Sequence, residues 1–420
     1  MTYTPTRRAD FLTRAAALGT PGLWPAWMPR LAFAPVDGAV AGDVLVVVFL
    51  RGAADVLNLV VPHGEAAYYA ARPTLAIARP DDNAAGIGNR ALDLDGFFGL
   101  HPTMGALLPA WHAQQFAVIQ ACGAPDESRS HFQAMALMER GVEDERGPAS
   151  GWIGRHLTTL QNGNTSPLRA VGFGPVTPRS LLGSVPAAAL QSITDFHFQG
   201  DSVALQAFQR MVAQSYARDP GLGPIGTATA AVAADVQRLD PERYVPEGGA
   251  QYPTTDFGRA LLQTAMLIKA DLGLEVSAID LGGWDTHFAQ GASGGWMANL
   301  ARDLADGLAA FHADLAAKHN RLTVVVMSEF GRRVAENASL GTDHGHGSAM
   351  LLLGGNVVGG RVHGPWPGLA PEQRVGPGDL AVTTDYRDVL GEVCRLRLGN
   401  AALDAIFPGY QAAPVGIVRR

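Results

Sequence analysis

The sequence predicts an α/β fold, with a mostly parallel central sheet and helices on both faces. Short apolar runs rich in β-branched residues recur along the chain, and stretches with helical spacing separate them. Strands that alternate with helices of about ten residues or more are typical of parallel sheets covered on both sides. The 50 glycines and 27 prolines agree with the many turns that such an arrangement needs.

The expected elements follow one another along the chain. The expected strands cover 43–50, 116–121, 168–174, 193–198, 275–281, 322–327, 350–353 and 357–362. The helices share apolar residues three or four positions apart and cover 104–114, 130–141, 256–272, 297–318 and 385–398, with a broken helical region over 206–237. The run DVLVVVFL at 43–50 is apolar after its first residue, so we expect a strand buried on both faces of the sheet.

We expect one large domain over 43–420, with an insertion around 175–253 that covers one edge of the sheet. With 47% hydrophobic and 17% charged residues the chain is globular. A net charge of −7 without Lys/Arg runs argues against nucleic acid as a partner. No apolar run of about 18 residues follows residue 42, so the mature protein is not expected to span a membrane. Cys122 and Cys394 could pair, but we expect two buried free thiols.

Residues 1–42 differ from the rest and predict a twin-arginine export signal. The pair Arg7-Arg8 precedes a weakly apolar, small-residue stretch that ends in small-x-small sequences. Ala9 and Asp10 separate this pair from Phe11, which departs from the usual spacing. We therefore expect an exported protein, in the periplasm, in the cell envelope or outside the cell. An amphipathic N-terminal helix is the alternative.

Polar residues and glycines follow four of the expected strands. These segments are RGAADVLN at 51–58, DESRSHF at 126–132, GGWDTH at 282–287, and SEFGRR at 328–333 with GTDHGHG at 341–347. In open α/β sheets, ligands bind at the carboxyl ends of the strands, so we expect these segments to meet. Their glycines let the backbone turn sharply and approach a ligand closely.

Five residues of these segments are suited to bind divalent cations, which take carboxylate and imidazole ligands: Asp285, His287, Asp343, His344 and His346. Alternate residues of an extended loop can point to one side, so Asp285 and His287 can reach a single ion. Asp343 and His344 diverge, which suits a bridge between two ions, or one ligand and its hydrogen-bonding partner. Solvated loop residues or capping aspartates are the alternative.

Ser130 opens an expected helix and is the preferred candidate for a nucleophile, because a helix N-terminus stabilises an alkoxide or a bound phosphate or sulfate. Ser128 and a metal-bound water are alternatives, and serine is also a common helix cap. Arg129 and Arg332 are candidates to clamp a tetrahedral anion, since arginine binds phosphate oxygens bidentately. Glu329 could bind a metal or orient a metal ligand, and a structural hydrogen bond is the alternative. His101 and His131 lie near the same strand ends and could at most orient a metal ligand.

These segments resemble a family of exported bacterial proteins grouped as domain of unknown function family 1501. The resemblance is carried by residues 51–58, 129–132, 282–287, 328–332 and 341–347, and by GGRVHGPWPG at 359–368. The family itself resembles a branch of the alkaline phosphatase and sulfatase superfamily. The resemblance implies an alkaline phosphatase-like domain that holds two divalent ions (Zn, Mn, Mg or Ca) and hydrolyses small anionic phosphate or sulfate esters.

The same resemblance implies an order of metal ligands along the chain. These are Asp55 after the first strand, Asp285 with His287 for one ion, Asp343 with His344 for the other, and His346 as the last histidine, for which His363 competes. The Cys-x-Pro-x-Arg motif of formylglycine sulfatases is absent, which disfavours a type I sulfatase. A non-catalytic exported envelope protein that keeps the fold, with or without a structural metal, is the alternative function, and a metal-dependent mutase is a third.

Overall fold

The computed structural model describes residues 42–160 and 243–420 and, between them, 162–164, 166, 168–174, 176–185, 187–190, 192, 193, 211 and 239. The predicted export signal lies outside the described residues, apart from Gly42. So do most of the predicted insertion at 175–253, nearly all of the helical region at 206–237, and all but the first residue of the strand at 193–198. These four remain predictions.

The described chain contains twelve strands. In chain order they are β1 (Val44–Leu50), β2 (Val60–Val61), β3 (Leu92–Asp93), β4 (Gly99–Leu100), β5 (Phe116–Gly123), β6 (Ala170–Phe173), β7 (Ala188–Leu190), β8 (Val276–Leu281), β9 (Leu322–Ser328), β10 (Ser348–Leu353), β11 (Val362–His363) and β12 (Thr384–Asp385). Nine of them form the central sheet, in the order β11-β5-β10-β9-β1-β8-β6-β7 with β12 beside β5. The other three form a small antiparallel sheet.

The central sheet is mostly parallel, as predicted. β1 runs parallel to its neighbours β8 and β9, and β6 runs parallel to β8 and β7. β10 is antiparallel to both β9 and β5, so β5 points in the same direction as β9. The strand predicted at 357–362 is reduced to β11, because Gly360 has a φ of +69° that an extended strand does not accommodate.

Nine α-helices lie in the described chain: α1 (Val56–Leu59), α2 (Ala66–Ala71), α3 (Leu108–His112), α4 (His131–Arg140), α5 (Trp152–Thr159), α6 (Asp256–Lys269), α7 (Trp296–Asp314), α8 (Tyr386–Leu396) and α9 (Leu403–Ile406). Short 3-10 turns cover 87–89, 102–107, 179–181, 316–321 and 371–373. The helix predicted at 104–114 is a 3-10 turn followed by α3, because the backbone kinks at Met104.

Helices cover both faces of the sheet, as predicted from the apolar run of β1. All seven residues of β1 are buried. Val46 belongs to a buried cluster that includes Leu261 of α6, whereas Val47 belongs to a second cluster with Trp152 of α5 and Tyr386 of α8. Successive side chains of a strand point to opposite faces, so a run that is apolar throughout requires apolar cover on both.

Two further predictions concern the whole chain. Cys122 and Cys394 are buried and form no disulfide, as expected. Among the residues that the structure describes, no helix is both long enough and apolar enough to cross a membrane.

The strand-end segments meet at one edge of the sheet. Leu50 pairs with Leu281 in β8 and with Ser328 in β9, so these three strands end level with one another. β5 points the same way, and β10 starts at this edge because it runs in the opposite direction. The segments that follow β1, β5, β8 and β9, and the one that precedes β10, therefore lie together.

Candidate metal centre

One carboxylate oxygen is the common point of the site. Asp285 Oδ1 lies 3.1 Å from Nε2 of His287, 3.2 Å from Nε2 of His344 and 3.4 Å from Nε2 of His131. The Nε2 atoms of His287 and His344 are 2.9 Å apart. Asp285 also accepts a hydrogen bond of 2.6 Å from Nη2 of Arg332. We refer to Asp285 and the three histidines as the His/Asp cluster.

A backbone carbonyl group determines which ring nitrogen of His344 carries the proton. Its Nδ1 lies 2.8 Å from the carbonyl oxygen of Arg129, which can only accept, so Nδ1 carries a proton. Burial lowers the pKa of His344, and the charges of His131 and Arg332 add to this, so the ring is neutral. Its Nε2 therefore presents a lone pair to Asp285 and His287. A lone pair that faces a carboxylate oxygen is repelled unless a cation lies between them.

His131 is held in the same manner from another side. Its Nδ1 lies 2.7 Å from Oε1 of Glu329, a carboxylate whose side chain is completely buried. Its Nε2 is buried and makes no hydrogen bond to any described residue, although Asp285 Oδ1 is near. Histidines that bind metals commonly donate their other ring nitrogen to a carboxylate or a carbonyl, and His131 and His344 both do so.

Asp343 orients His287. Its Oδ1 accepts a 2.9 Å hydrogen bond from Asn337 and lies 3.4 Å from Nδ1 of His287. Asn337 also donates to the carbonyl oxygen of His287, so one amide ties the two ligand-bearing loops together. The hydrogen bond from Asn337 lowers the pKa of Asp343, which is therefore ionised at neutral pH. The structure thus gives Asp343 the role of partner to His287 and not a place in the His/Asp cluster.

The loop that carries His344 is fixed against the loop after β9. Arg333 donates its N–H to the carbonyl oxygen of Asp343, and Gly345 donates to the carbonyl oxygen of Gly331. Gly345 packs on the backbone of residue 332 so closely that a Cβ has no room there. The glycine that follows His344 is therefore required for the close approach of the two loops.

Arg332 is buried and donates a hydrogen bond to Asp285. This corrects the prediction that Arg332 binds a substrate anion. Its side chain is completely buried, and its guanidinium nitrogens donate to the carbonyl oxygens of Gly52, Ala53 and Thr342 as well as to Asp285. Burial raises the pKa of Asp285, but the hydrogen bond and the positive charge of Arg332, together with the neighbouring histidines, outweigh this and lower the pKa to about 2. Asp285 is thus a carboxylate at any physiological pH.

Asp55 lies elsewhere, in a buried ion pair, which corrects its prediction as a metal ligand. Its Oδ2 and Oδ1 accept hydrogen bonds of 2.6 and 2.9 Å from Arg72, and both side chains are completely buried. Oδ2 also accepts from Nε2 of Gln290 at 2.6 Å. An aspartate with both oxygens engaged in this way is part of the framework of the site.

The two candidates for the last histidine lie outside the His/Asp cluster. Nε2 of His346 donates to the carbonyl oxygen of Ala124 at 3.0 Å, and Nε2 of His363, in the edge strand β11, donates to that of Val358 at 2.8 Å. Each ring is thus used to hold a neighbouring loop.

Ser130 occupies the N-cap position of α4. It is exposed, and its side chain makes no capping hydrogen bond to the described helix. The hydroxyl of Ser128 instead accepts from the backbone N–H of Ser130 at 3.2 Å. Arg129, the other predicted clamp, is bound to the buried carboxylate of Asp379, and a third of its side chain is exposed. Of the two serines, Ser130 therefore has the freer hydroxyl, and it directly precedes His131.

Gln290 connects the loops that carry the His/Asp cluster, a role that the sequence did not indicate. The side chain is fully buried, and its Oε1 accepts from the hydroxyls of Thr286 and Thr342, at 2.8 and 2.7 Å. Thr286 lies between Asp285 and His287, and Thr342 lies in the loop that carries His344. Such single polar residues have no periodicity or motif that predicts their role.

The His/Asp cluster fits a divalent cation. Within the described ranges, one group of residues brings ligand atoms close enough for a shared ion, namely His131, Asp285 and His344, and His287 adjoins it. Oδ1 of Asp285 lies 3.1–3.4 Å from the three Nε2 atoms, and two of these, in His287 and His344, are 2.9 Å apart. Zinc bonds of about 2.0–2.1 Å in a tetrahedron put ligand atoms about 3.3 Å apart.

A family model matches residues 43–390, a range that contains the whole His/Asp cluster. The chain belongs to this family, described as protein of unknown function (DUF1501). No curated protein matches the sequence of this DUF1501 chain.

Solved structures resemble the DUF1501 chain weakly. The lipoteichoic acid synthase LtaP from Listeria monocytogenes is 9% identical, with 90% of this chain and 75% of that one covered and a TM-score of 0.33. Alkaline phosphatase from the Antarctic bacterium TAB5 is 8% identical, with coverages of 77% and 91% and a TM-score of 0.29. The phosphonate monoester hydrolase of Agrobacterium radiobacter is 10% identical, with coverages of 88% and 78% and a TM-score of 0.31. Similarity this low supports no conclusion about the site.

We expect Glu329→Gln to weaken metal binding by about 10–100-fold, the usual effect of losing a partner of a metal-binding histidine. The amide keeps an acceptor for the N–H of Gly52 but removes the negative charge behind His131, so the imidazole binds a cation less strongly. Competition with a chromogenic chelator measures the affinity. Glu336→Gln is the matched control, because this carboxylate binds Thr74 outside the cluster, and it should leave the affinity unchanged.

Metal affinity should also rise with pH. The hydrogen bond to Glu329 raises the pKa of His131 above 6.5, so the metal-free ring keeps its second proton at mildly acidic pH. A cation must displace that proton, so affinity is low below this pKa, increases through it and levels off above it. In Glu329→Gln the pKa is lower, and the rise should move to lower pH. An unshifted profile in the variant would assign the proton to another group.

Proposed function

We propose that this protein is a metal-dependent hydrolase of phosphate or sulfate esters. The observation that carries the proposal is the convergence of three histidine Nε2 atoms on Asp285 Oδ1, with distances of 3.1–3.4 Å. The choice of ester is supported by the resemblance of the motifs at 282–287 and 341–347 to those of the alkaline phosphatase and sulfatase superfamily, since Asp285, His287 and His344 of these motifs lie in the cluster.

The openness of the cluster favours catalysis over a purely structural metal. The side chains of Asp285 and His287 are 47% and 42% exposed. Catalytic zinc sites use three protein ligands and leave the fourth position open, and His131, Asp285 and His344 are the three residues whose ligand atoms all lie close enough for one ion. A cation held here would be accessible from solvent on the side of Asp285 and His287, which argues against the non-catalytic alternative.

The donor set favours Zn²⁺ among the ions predicted from the sequence. Mg²⁺ and Ca²⁺ prefer oxygen ligands, whereas imidazole nitrogen suits zinc. We propose one ion in the His/Asp cluster. The second ion of the predicted pair would need a second set of ligands, so the number of ions per chain is a direct test.

The chain's own residues would prepare the site for ester hydrolysis. A bound divalent ion supplies Lewis-acid stabilisation of the charge that develops on the ester and its leaving group. Glu329 holds His131 in place, and Arg332 keeps Asp285 ionised. Ser130 is the proposed nucleophile: its Oγ forms a bond to phosphorus or sulfur as the alcohol leaves, and water then releases the acid.

Hydrolysis assays on the purified full chain test the proposal. We expect turnover of at least one of p-nitrophenyl phosphate, bis(p-nitrophenyl) phosphate and p-nitrophenyl sulfate, its loss with a chelator, and its return with Zn²⁺. Ser130→Ala should lower kcat by about 10²-fold or more, and Ser128→Ala, the matched control, should have little effect. Zinc binding without turnover of any of the three esters would contradict a hydrolase. Normal turnover by Ser130→Ala would assign the attack to water.

A further inference from the structure

Large apolar side chains are exposed around the His/Asp cluster. The described chain exposes eight large hydrophobic side chains, and half of them lie on or against the segments that carry the cluster: Phe132, Phe288, Trp296 and Leu340, which are 86%, 62%, 45% and 53% exposed. Single exposed apolar residues are common, but a concentration at one site marks a binding surface. We call these four residues the apolar rim.

Two members of the rim directly follow histidines of the cluster. Phe132 follows His131 in the first turn of α4, and Phe288 follows His287. Consecutive Cα atoms are about 3.8 Å apart, so each phenyl group starts within one residue of a ring that reaches Asp285. The backbones of both phenylalanines are therefore adjacent to the cluster.

Leu340 lies beside Phe288. The N–H of Gln290 donates to the carbonyl oxygen of Leu340, and Gly341 packs against the backbone of His287 with no room for a Cβ. The contact between Gly341 and His287 thus has an exposed apolar residue on each side of it, Leu340 before the glycine and Phe288 after the histidine.

Trp296 approaches the cluster from α7. It is the first residue of that helix, and its indole Nε1 lies 3.7 Å from the position of a Cβ built on Gly283. Gly283 is two residues before Asp285 and has a φ of +95°, a conformation that favours glycine. The indole therefore lies beside the segment that leads from β8 to the cluster.

We propose that the apolar rim binds an apolar group of the substrate, so that this protein acts on esters that carry an aryl or alkyl group. This inference rests on the proposed function. An ester group held at the cluster would extend into solvent past the exposed side chains of Asp285 and His287, next to the segment that carries Phe288. The polar esters of sugars would leave this surface uncovered. Covering about 50 Å² of an apolar group at about 25 cal/mol per Å² corresponds to about tenfold in affinity.

The test compares two anions that cannot be hydrolysed. Methylphosphonate and phenylphosphonate share one anionic group and differ in the apolar part. Calorimetric titration of the zinc-loaded full chain should give a dissociation constant about tenfold lower for phenylphosphonate. In the double variant Phe132→Ala/Phe288→Ala this ratio should fall to about twofold, while zinc affinity and methylphosphonate binding stay as in the wild type.

Two further variants distinguish the loss of apolar contact at the rim from a general effect of the substitutions on the protein. Phe132→Leu/Phe288→Leu keeps apolar surface and should retain most of the preference. Val245→Ala removes a similarly exposed apolar side chain at the far end of α7, where the backbone N–H of Glu247 donates to Asp314, and should change nothing.

The outcomes distinguish the two proposals. Equal binding of both phosphonates, unchanged in the alanine variant, would overturn the apolar substrate and leave the hydrolase standing. Failure of the zinc-loaded protein to bind either anion would overturn the hydrolase and this inference with it. An alanine variant that keeps the phosphonate ratio but loses binding to phosphatidylcholine vesicles would assign the rim to a lipid surface and overturn the inference.

Discussion

Replacing Asp285 by alanine should remove the metal from the purified protein and reduce ester hydrolysis to background. Oδ1 of Asp285 is the atom that the three histidines approach, so its loss removes a ligand and also leaves Arg332 as an uncompensated charge beneath the site. Losing an outer partner of a ligand costs about 10–100-fold in affinity, and the loss of the central carboxylate should exceed this. Metal content measured by elemental analysis, with assays on the same sample, checks the prediction.

A matched control and a graded series sharpen this test. Asp144 is 45% exposed and pairs with Arg146, much as Asp285 pairs with Arg332, but it lies outside the cluster, so Asp144→Ala should keep metal and activity. His344→Ala should behave like Asp285→Ala, whereas Asp343→Ala should only weaken binding, because Asp343 reaches the cluster through His287. Full metal content in Asp285→Ala, or equal losses in Asp285→Ala and Asp144→Ala, would contradict the assignment.

Arg72→Met should destabilise the protein by about 3–5 kcal/mol, the largest effect on stability that we expect. The variant leaves the carboxylate of Asp55 buried without its charged partner, which is far more unfavourable than the loss of the ion pair as a whole. It also removes donors to the carbonyl oxygens of Arg333 and Val334, which belong to the loop after β9. Chemical denaturation measures the free energy of unfolding.

A second substitution separates the buried charge from the lost packing. In Asp55→Asn/Arg72→Met residue 55 is neutral, so no unpaired charge is buried. We expect the double variant to be about 2 kcal/mol more stable than Arg72→Met. Arg146→Met removes an arginine that is 91% exposed and should change stability by less than about 0.5 kcal/mol. If the double variant were no more stable than Arg72→Met, the cost would lie in the lost hydrogen bonds and not in the charge.

The fold could be predicted because burial on both faces of a parallel strand leaves a continuous apolar run. β1 and β9 were found in this way, and the ends of α6 and α8 lie within a few residues of the predicted bounds. Where a local conformation interrupts the pattern, as at Met104 and Gly360, the prediction was wrong in length or type.

Only the part of the site that follows from the sheet topology could be predicted. The carboxyl ends of parallel strands share an edge, so Asp285, His287 and His344 were expected together, and the structure brings them together. His131 joins them from the start of α4, although its segment has no metal-binding spacing.

The charge of a residue did not show whether it lies in the His/Asp cluster or holds the surrounding loops together. Asp55 lies after a strand like the others, but Arg72 pairs with it from a stretch that has no recognisable motif. Arg332 is of a residue type that often binds anions, yet its side chain donates to backbone carbonyl groups that no sequence pattern reveals. Long-range pairs of single polar residues are set by tertiary packing, so sequence periodicity carries no information about them.

X-ray absorption spectroscopy of the purified protein shows directly whether the His/Asp cluster binds a metal. We expect a divalent metal, zinc in the first place, with nitrogen and oxygen neighbours at about 2.0–2.1 Å and the outer-ring scattering of two or three imidazoles. That signal should disappear in Asp285→Ala and persist in Asp144→Ala. A protein that takes up no metal, or a metal with sulfur or only oxygen neighbours, would contradict the His/Asp cluster as a metal centre.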